Sequence, residues 1–188
     1  GNARPRHPIV EERTRRLTAC AETTDLNREE LGEDTSLGII TSSTCYQYAR
    51  EVFGEKASIL KLGLVNPLPR QKILDFAAKV DRLLVLEELD PVIEEHCRNL
   101  GLTVQGKDAL PLIGEFSQGL VAEKLGKTPK PWVALDEAVP PRPPVLCPGC
   151  PHRGLFYTLA KHKVTVLGDI GCYTLAAYEP LYAIETCE

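Results

Sequence analysis

The chain has 188 residues, 43% apolar and 26% charged, with a formal net charge of −4 and a pI of about 5.7. That length holds one domain of ordinary size plus further elements, and the acidic balance gives no general affinity for nucleic acid or an anionic membrane. No apolar run approaches the roughly 18 residues of a membrane span and no apolar leader opens the chain, so a soluble cytoplasmic protein is expected.

The first 35 residues read as a lead-in segment. Pro5 and Pro8 mark residues 1–8 as extended, and Ile9, Val10, Arg13, Leu17 and Cys20 recur at helical spacing up to about Glu22. Arg4, Arg6, Arg13, Arg15 and Arg16 suit a solvated helix face or a subunit contact better than a nucleic-acid arm. From residue 36 to 126 short apolar runs alternate with amphipathic ones. Leu37-Gly38-Ile39-Ile40-Thr41 predicts a strand, and Ser42-Ser43-Thr44 supplies N-cap candidates for a helix over Cys45–Phe53 that Gly54 ends. Ala57–Leu62 predicts a second strand and Arg70–Val80 a helix. Leu83–Leu86 is the most continuously apolar strand, as a parallel strand covered on both faces should be, and it delivers Glu87 and Glu88 at its end. Asp90-Pro91 predicts a helix start ahead of Val92–Leu100. A strand at Leu102–Val104 and a helix near Ser117–Leu125 complete the unit. The reading is an open, mainly parallel α/β sheet with helices on both faces, joined by right-handed crossovers.

Residues 127–146 contain Pro129, Pro131, Pro140, Pro141, Pro143 and Pro144, which predicts a semi-rigid extended linker, with Trp132 pinning it to the domain it crosses. A second unit begins at Cys147. It comprises the Cys-Pro-Gly-Cys turn, a helix from His152 to His162, a strand over Lys163–Leu167, the loop Gly168–Cys172 and a short helix near Tyr173–Ala177. One strand and two helices cannot close a core, so the unit reads as the opening of a larger domain.

Of seven cysteines, Cys20, Cys45 and Cys97 fall in helix-like patterns and read as small buried apolar groups. The other four are Cys147, Cys150, Cys172 and Cys187. A Pro-Gly turn between Cys147 and Cys150 brings two thiols to one point, and thiolates are soft ligands for zinc or an iron–sulfur cluster. With Cys172 and Cys187 the spacing is Cys-x2-Cys-x21-Cys-x14-Cys. A redox pair, a zinc knob in a non-enzymatic interaction module, and an iron–sulfur or cofactor-associated site all remain open on spacing alone. Cys187 reads equally as a free thiol. Glu87 and Glu88 stand where a parallel sheet meets a crevice ligand, or else one caps a helix and the other pairs with a charge or a subunit. Ser42, Ser43 and Thr44 offer an anion cradle or plain capping. His7, His96 and His162 read as surface or helix-end residues.

The run Arg142–Leu175, with Cys-Pro-Gly-Cys-Pro-His-Arg-Gly-Leu-Phe-Tyr and Gly-Asp-Ile-Gly-Cys-Tyr-Thr-Leu, resembles the large subunits of indolepyruvate:ferredoxin oxidoreductases. These belong to the thiamine-diphosphate-dependent 2-oxoacid:ferredoxin oxidoreductase family. The likeness continues through Gly38-Ile39-Ile40-Thr41-Ser42, Leu60-Lys61-Leu62-Gly63, Pro67-Leu68-Pro69 and Val85–Pro91, and so covers nearly the whole chain. It implies that residues 36–126 are a transketolase C-terminal-like domain and that 147–188 open the domain binding thiamine diphosphate. It further implies that Cys147, Cys150 and Cys172 hold a 4Fe-4S cluster with a fourth cysteine from elsewhere, and that His152, Gly171 and Cys172 lie near the cofactor. The family's magnesium motif is expected beyond residue 188, and Gly168-Asp169 is not that motif. The carboxylate that activates thiamine is expected before residue 1. The resemblance therefore implies a middle piece of the subunit with no catalytic residue of its own. The parent would use ferredoxin, coenzyme A and a smaller beta subunit.

Overall fold

The computed structural model describes residues 2–131, 133 and 137–187, the last by its backbone alone. It divides into two compact units, Gly1–Trp132 and Val133–Glu188. The expected role of Trp132 lies outside the described residues.

The first unit opens with helix α1, Ala3–Thr23, which corrects the expectation of an extended segment up to Pro8. Pro5 falls in the first turn, where its missing N–H has no intrahelical acceptor to lose, and Pro8 gives up one backbone bond in a fully exposed stretch where water can take its place. Residues 2–20 are exposed, Cys20 among them against the expectation that it is buried, and Ala21 is the helix's buried residue. The C-terminal end of α1 is anchored by Asn27, fully buried. Its amide donates to the Ala21 carbonyl at 3.0 Å and accepts from the Gly63 and Leu64 N–H groups at 2.9 and 2.8 Å.

Strands β1 (Arg28–Glu30), β2 (Asp34–Ser42), β3 (Ala57–Leu62), β4 (Leu83–Leu86) and β5 (Val104–Gln105) form one sheet in the order β1-β3-β2-β4-β5. β1 runs antiparallel on β3, and the other four strands are mutually parallel. Helices α2 (Cys45–Phe53), α3 (Arg70–Ala77), α4 (Val92–Asn99) and α5 (Gln118–Lys124) cover it. Strand alternation divides the core in two. Ile39, Ile59, Leu84 and Leu86 pack with Cys45 and Ala49 of α2 and Val121 of α5. Ile40, Leu60, Leu62 and Val85 pack with Ile73 and Phe76 of α3 and Ile93 and Cys97 of α4. Both sheet faces are thus covered, which is why the strands lack polar alternation. From the carboxyl end of β2 the chain enters a helix on one face, and from the neighbouring β4 a helix on the other. The crevice between those two ends is the switch point of the sheet.

In the second unit, helix α6 (His152–His162) is followed by the two-residue strands β6 (Leu167–Gly168) and β7 (Thr186–Cys187), paired in parallel. A 3-10 helix, Cys172–Ala177, lies between them. The strand expected from Lys163 is thereby reduced. Lys163 ends α6 in the left-handed conformation at φ 53°, and β7 offers only two residues for pairing. Leu146, Phe156, Ala176, Ala183 and Ile184 form a small core.

Candidate functional site

The cysteine turn is built by local chemistry. Pro148 and Gly149 are its central residues; Gly149 has φ +76°, and the Cys150 N–H donates to the Cys147 carbonyl at 3.1 Å. Arg153, in the first turn of α6, folds back on it. Its Nε donates to the Cys147 carbonyl at 3.0 Å and its Nη2 to the Leu146 carbonyl. Leu146 is buried in the small core, so the turn is tied to the unit's interior at one end. Cys147 is exposed and Cys150 is half-buried.

The second loop arrives opposite the start of α6. Gly171, at φ 135°, leads into the 3-10 helix and places Cys172 on the surface. The Tyr173 ring lies 4.9 Å from the His152 ring and stands edge-on to Phe156 at 6.0 Å. His152 therefore packs against the neighbour of Cys172, which joins the two loops the sequence singled out. Arg153 and Tyr173 were not singled out, although both flank chosen residues.

Thiolates are the right chemistry for a soft metal or an iron–sulfur cluster. Yet among the described residues no three His, Cys, Asp or Glu side chains stand together as ligands for one ion. Cys187 pairs with Gly168 through its backbone, and its side chain lies outside the described residues. Cys147, Cys150 and Cys172 would supply three of the four thiolates that hold a 4Fe-4S cluster.

In the first unit the switch-point crevice has a volume of about 430 Å³ and is lined by Ser42–Cys45, Val65, Glu87–Asp90, Val92 and Ile93. Its two glutamates are engaged. Glu87 accepts from the Ile93 and Glu94 N–H groups, both at 2.9 Å, and so caps α4 from six and seven residues away. Pro91 occupies the position before that helix and no side-chain cap bond comes from it; the start expected at Asp90-Pro91 falls one residue later. Glu88 accepts from the Phe116 N–H. Thr44 precedes α2 without a side-chain cap bond.

Burial raises the Cys45 thiol to about 11 and the Cys97 thiol to about 12. Neither forms the reactive thiolate at neutral pH. Limited alkylation of the native protein at pH 7 is expected to modify Cys147, Cys172 and Cys20 before Cys45 and Cys97, read by peptide mass. Early modification of Cys97 would contradict the described burial.

A mainly parallel, doubly covered sheet with its crevice at the carboxyl strand ends defines an α/β layer protein, here followed by a cysteine-bearing unit. The chain is similar to the indolepyruvate oxidoreductase subunit IorA of Pyrococcus horikoshii, at 34% identity over 208 aligned residues. That alignment covers 97% of this chain and 32% of the relative. The IorA subunits of Archaeoglobus fulgidus, at 35% identity, and of Methanothermobacter thermautotrophicus, at 33%, match 98% and 97% of this chain. Over that stretch the chain belongs to the indolepyruvate oxidoreductase IorA family, and it spans about a third of the length of these relatives. No family model and no solved structure matches it. Among the described residues no helix is long and apolar enough to cross a membrane.

Proposed function

We propose that this chain is a segment of the large subunit of a cytoplasmic indolepyruvate:ferredoxin oxidoreductase. The observation that carries the reading is the match of nearly the whole chain to indolepyruvate oxidoreductase subunits IorA. The parent enzyme converts an aryl-2-oxoacid and coenzyme A to acyl-CoA and carbon dioxide, and the electrons released pass to ferredoxin. Thiamine diphosphate with magnesium supplies carbanion stabilisation and a 4Fe-4S cluster the electron path, in partnership with a smaller beta subunit.

In this reading the first unit is a transketolase C-terminal-like scaffold and residues 147–188 begin the thiamine domain. Cys147, Cys150 and Cys172 are the thiols offered to the cluster, and His152 and Gly171 border the cofactor. The Arg153 clamp fixes the carbonyls on which the first pair turns, and the His152–Tyr173 contact sets the loop of the third. Residues 1–188 hold no group assigned to bind magnesium or activate thiamine, so the chain alone is expected to be inactive. Protein reconstituted anaerobically with iron, sulfide, thiamine diphosphate and magnesium is expected to give no oxidation of indolepyruvate; detectable turnover would refute that. Metal analysis tests the rest. Stoichiometric zinc on the four C-terminal cysteines, with no uptake of iron, would replace this reading with that of an interaction module.

A further inference from the structure

We propose that Cys147 and Cys150 form a reversible thiol–disulfide pair, preorganised by the turn between them. Gly149 has φ +76°, the value required at the second central position of a type II turn, whose first central position favours proline. The 3.1 Å bond from the Cys150 N–H to the Cys147 carbonyl closes that turn. A turn of this kind holds its end Cα atoms within about 7 Å, and a disulfide needs about 4.4–6.8 Å. Closure therefore draws chiefly on side-chain rotation rather than on backbone movement. Arg153 holds the outer strand of the turn through the Leu146 and Cys147 carbonyls.

Exposure sets the order of events. Cys147 is open to solvent, while Cys150 is half-buried against the small core. The Cys147 thiolate attacks one sulfur of a small-molecule disulfide such as oxidised glutathione, and a glutathione thiolate leaves. The Cys150 thiolate then attacks the Cys147 sulfur and expels the second glutathione. The pair loses two protons and two electrons, and the oxidant gains both electrons. In the oxidised form neither residue is a thiolate, so the turn is closed to any soft metal until it is reduced. A cluster on the same two thiols excludes the disulfide, so the pairing is a property of the metal-free chain.

The test equilibrates the intact, chelator-treated protein in glutathione buffers of varied ratio, traps free thiols by alkylation and maps the peptides by mass. A disulfide within the 147–150 turn is expected. Gly149→Ala is expected to lower its equilibrium constant about fivefold, because alanine resists positive φ. Arg153→Gln is expected to lower it too, and Cys172→Ser to leave it unchanged. In urea the wild type and the Gly149→Ala variant are expected to approach each other, which separates preorganisation from mere proximity in sequence. Pairing of Cys172 with either residue, equal constants in native and urea-unfolded protein, or insensitivity to both turn variants would overturn the proposal.

Discussion

Gly106→Ala is expected to destabilise the first unit by about 2 kcal/mol, the scale of displacing a buried carboxylate from its hydrogen-bond partner or overpacking a tight turn. A Cβ at this position would meet Glu94 Oε2 at 2.2 Å and Cδ at 2.4 Å. The end of a glutamate is ordinarily free to move aside, but this one is 2% exposed. Its Oε2 accepts from the Lys107 N–H at 2.9 Å, and its Oε1 pairs with Arg98 at 2.6 Å. Gly106 is itself fixed, donating to Asp108 Oδ1 at 2.7 Å and accepting from the Ala109 and Leu110 N–H groups, each at 3.0 Å. The carboxylate must therefore leave its partners inside the fold or the turn must shift. The urea midpoint followed by far-UV circular dichroism reads the loss. In a Glu94→Ala background the collision disappears, so the alanine at 106 is expected to cost less than about 1 kcal/mol there. Equal costs in both backgrounds would show that the collision is not the cause.

The same region shows what sequence patterning conveys and what it misses. Leu83–Leu86 was legible to the residue because four consecutive apolar groups suit a strand buried on both faces, and all four are buried. β1 was not legible. Arg-Glu-Glu carries no apolar signal, and the strand exists because it pairs with β3 at the sheet edge. That one of Glu87 and Glu88 caps a helix was readable, but which of them and which donors were not, since local capping patterns look one to three residues ahead, whereas Glu87 reaches residues 93 and 94 across a loop. In the second unit the Cys-Pro-Gly-Cys turn was readable because its chemistry is local. The contact between the His152 and Tyr173 rings joins residues 21 positions apart, and no periodicity encodes it. The grouping of Cys147, Cys150 and Cys172 came from resemblance rather than from spacing, which left a redox pair and a zinc site open as well.

Glu87→Ala is expected to cost about 2 kcal/mol, because it strips two N–H groups at the start of α4 of their acceptor. Ile93 and Glu94 are 3% and 2% exposed, so those donors are buried. Water entering the crevice at the carboxyl strand ends offsets part of the loss, which keeps the figure below that of two orphaned donors. Glu87→Gln keeps one acceptor oxygen but turns an amide N–H₂ toward the other donor, so an intermediate loss of about 1 kcal/mol is expected. The pH dependence distinguishes the carboxyl from its neighbours. Burial raises the Glu87 pKa above the ordinary carboxylate value, against the Ile93 and Glu94 hydrogen bonds and the Lys107 charge, all of which lower it. The folded protein thus binds this proton more tightly than the unfolded chain does. Its contribution to stability is fully present below the unfolded-state value, about 4.3, and declines as pH rises through the folded value. Across that window the wild type is expected to lose stability relative to Glu87→Gln, whose side chain does not titrate, and to run parallel to it at higher pH. A difference that grows in the opposite sense would mean that the hydrogen bonds outweigh desolvation, and that the crevice admits more water than the 7% exposure of Glu87 implies.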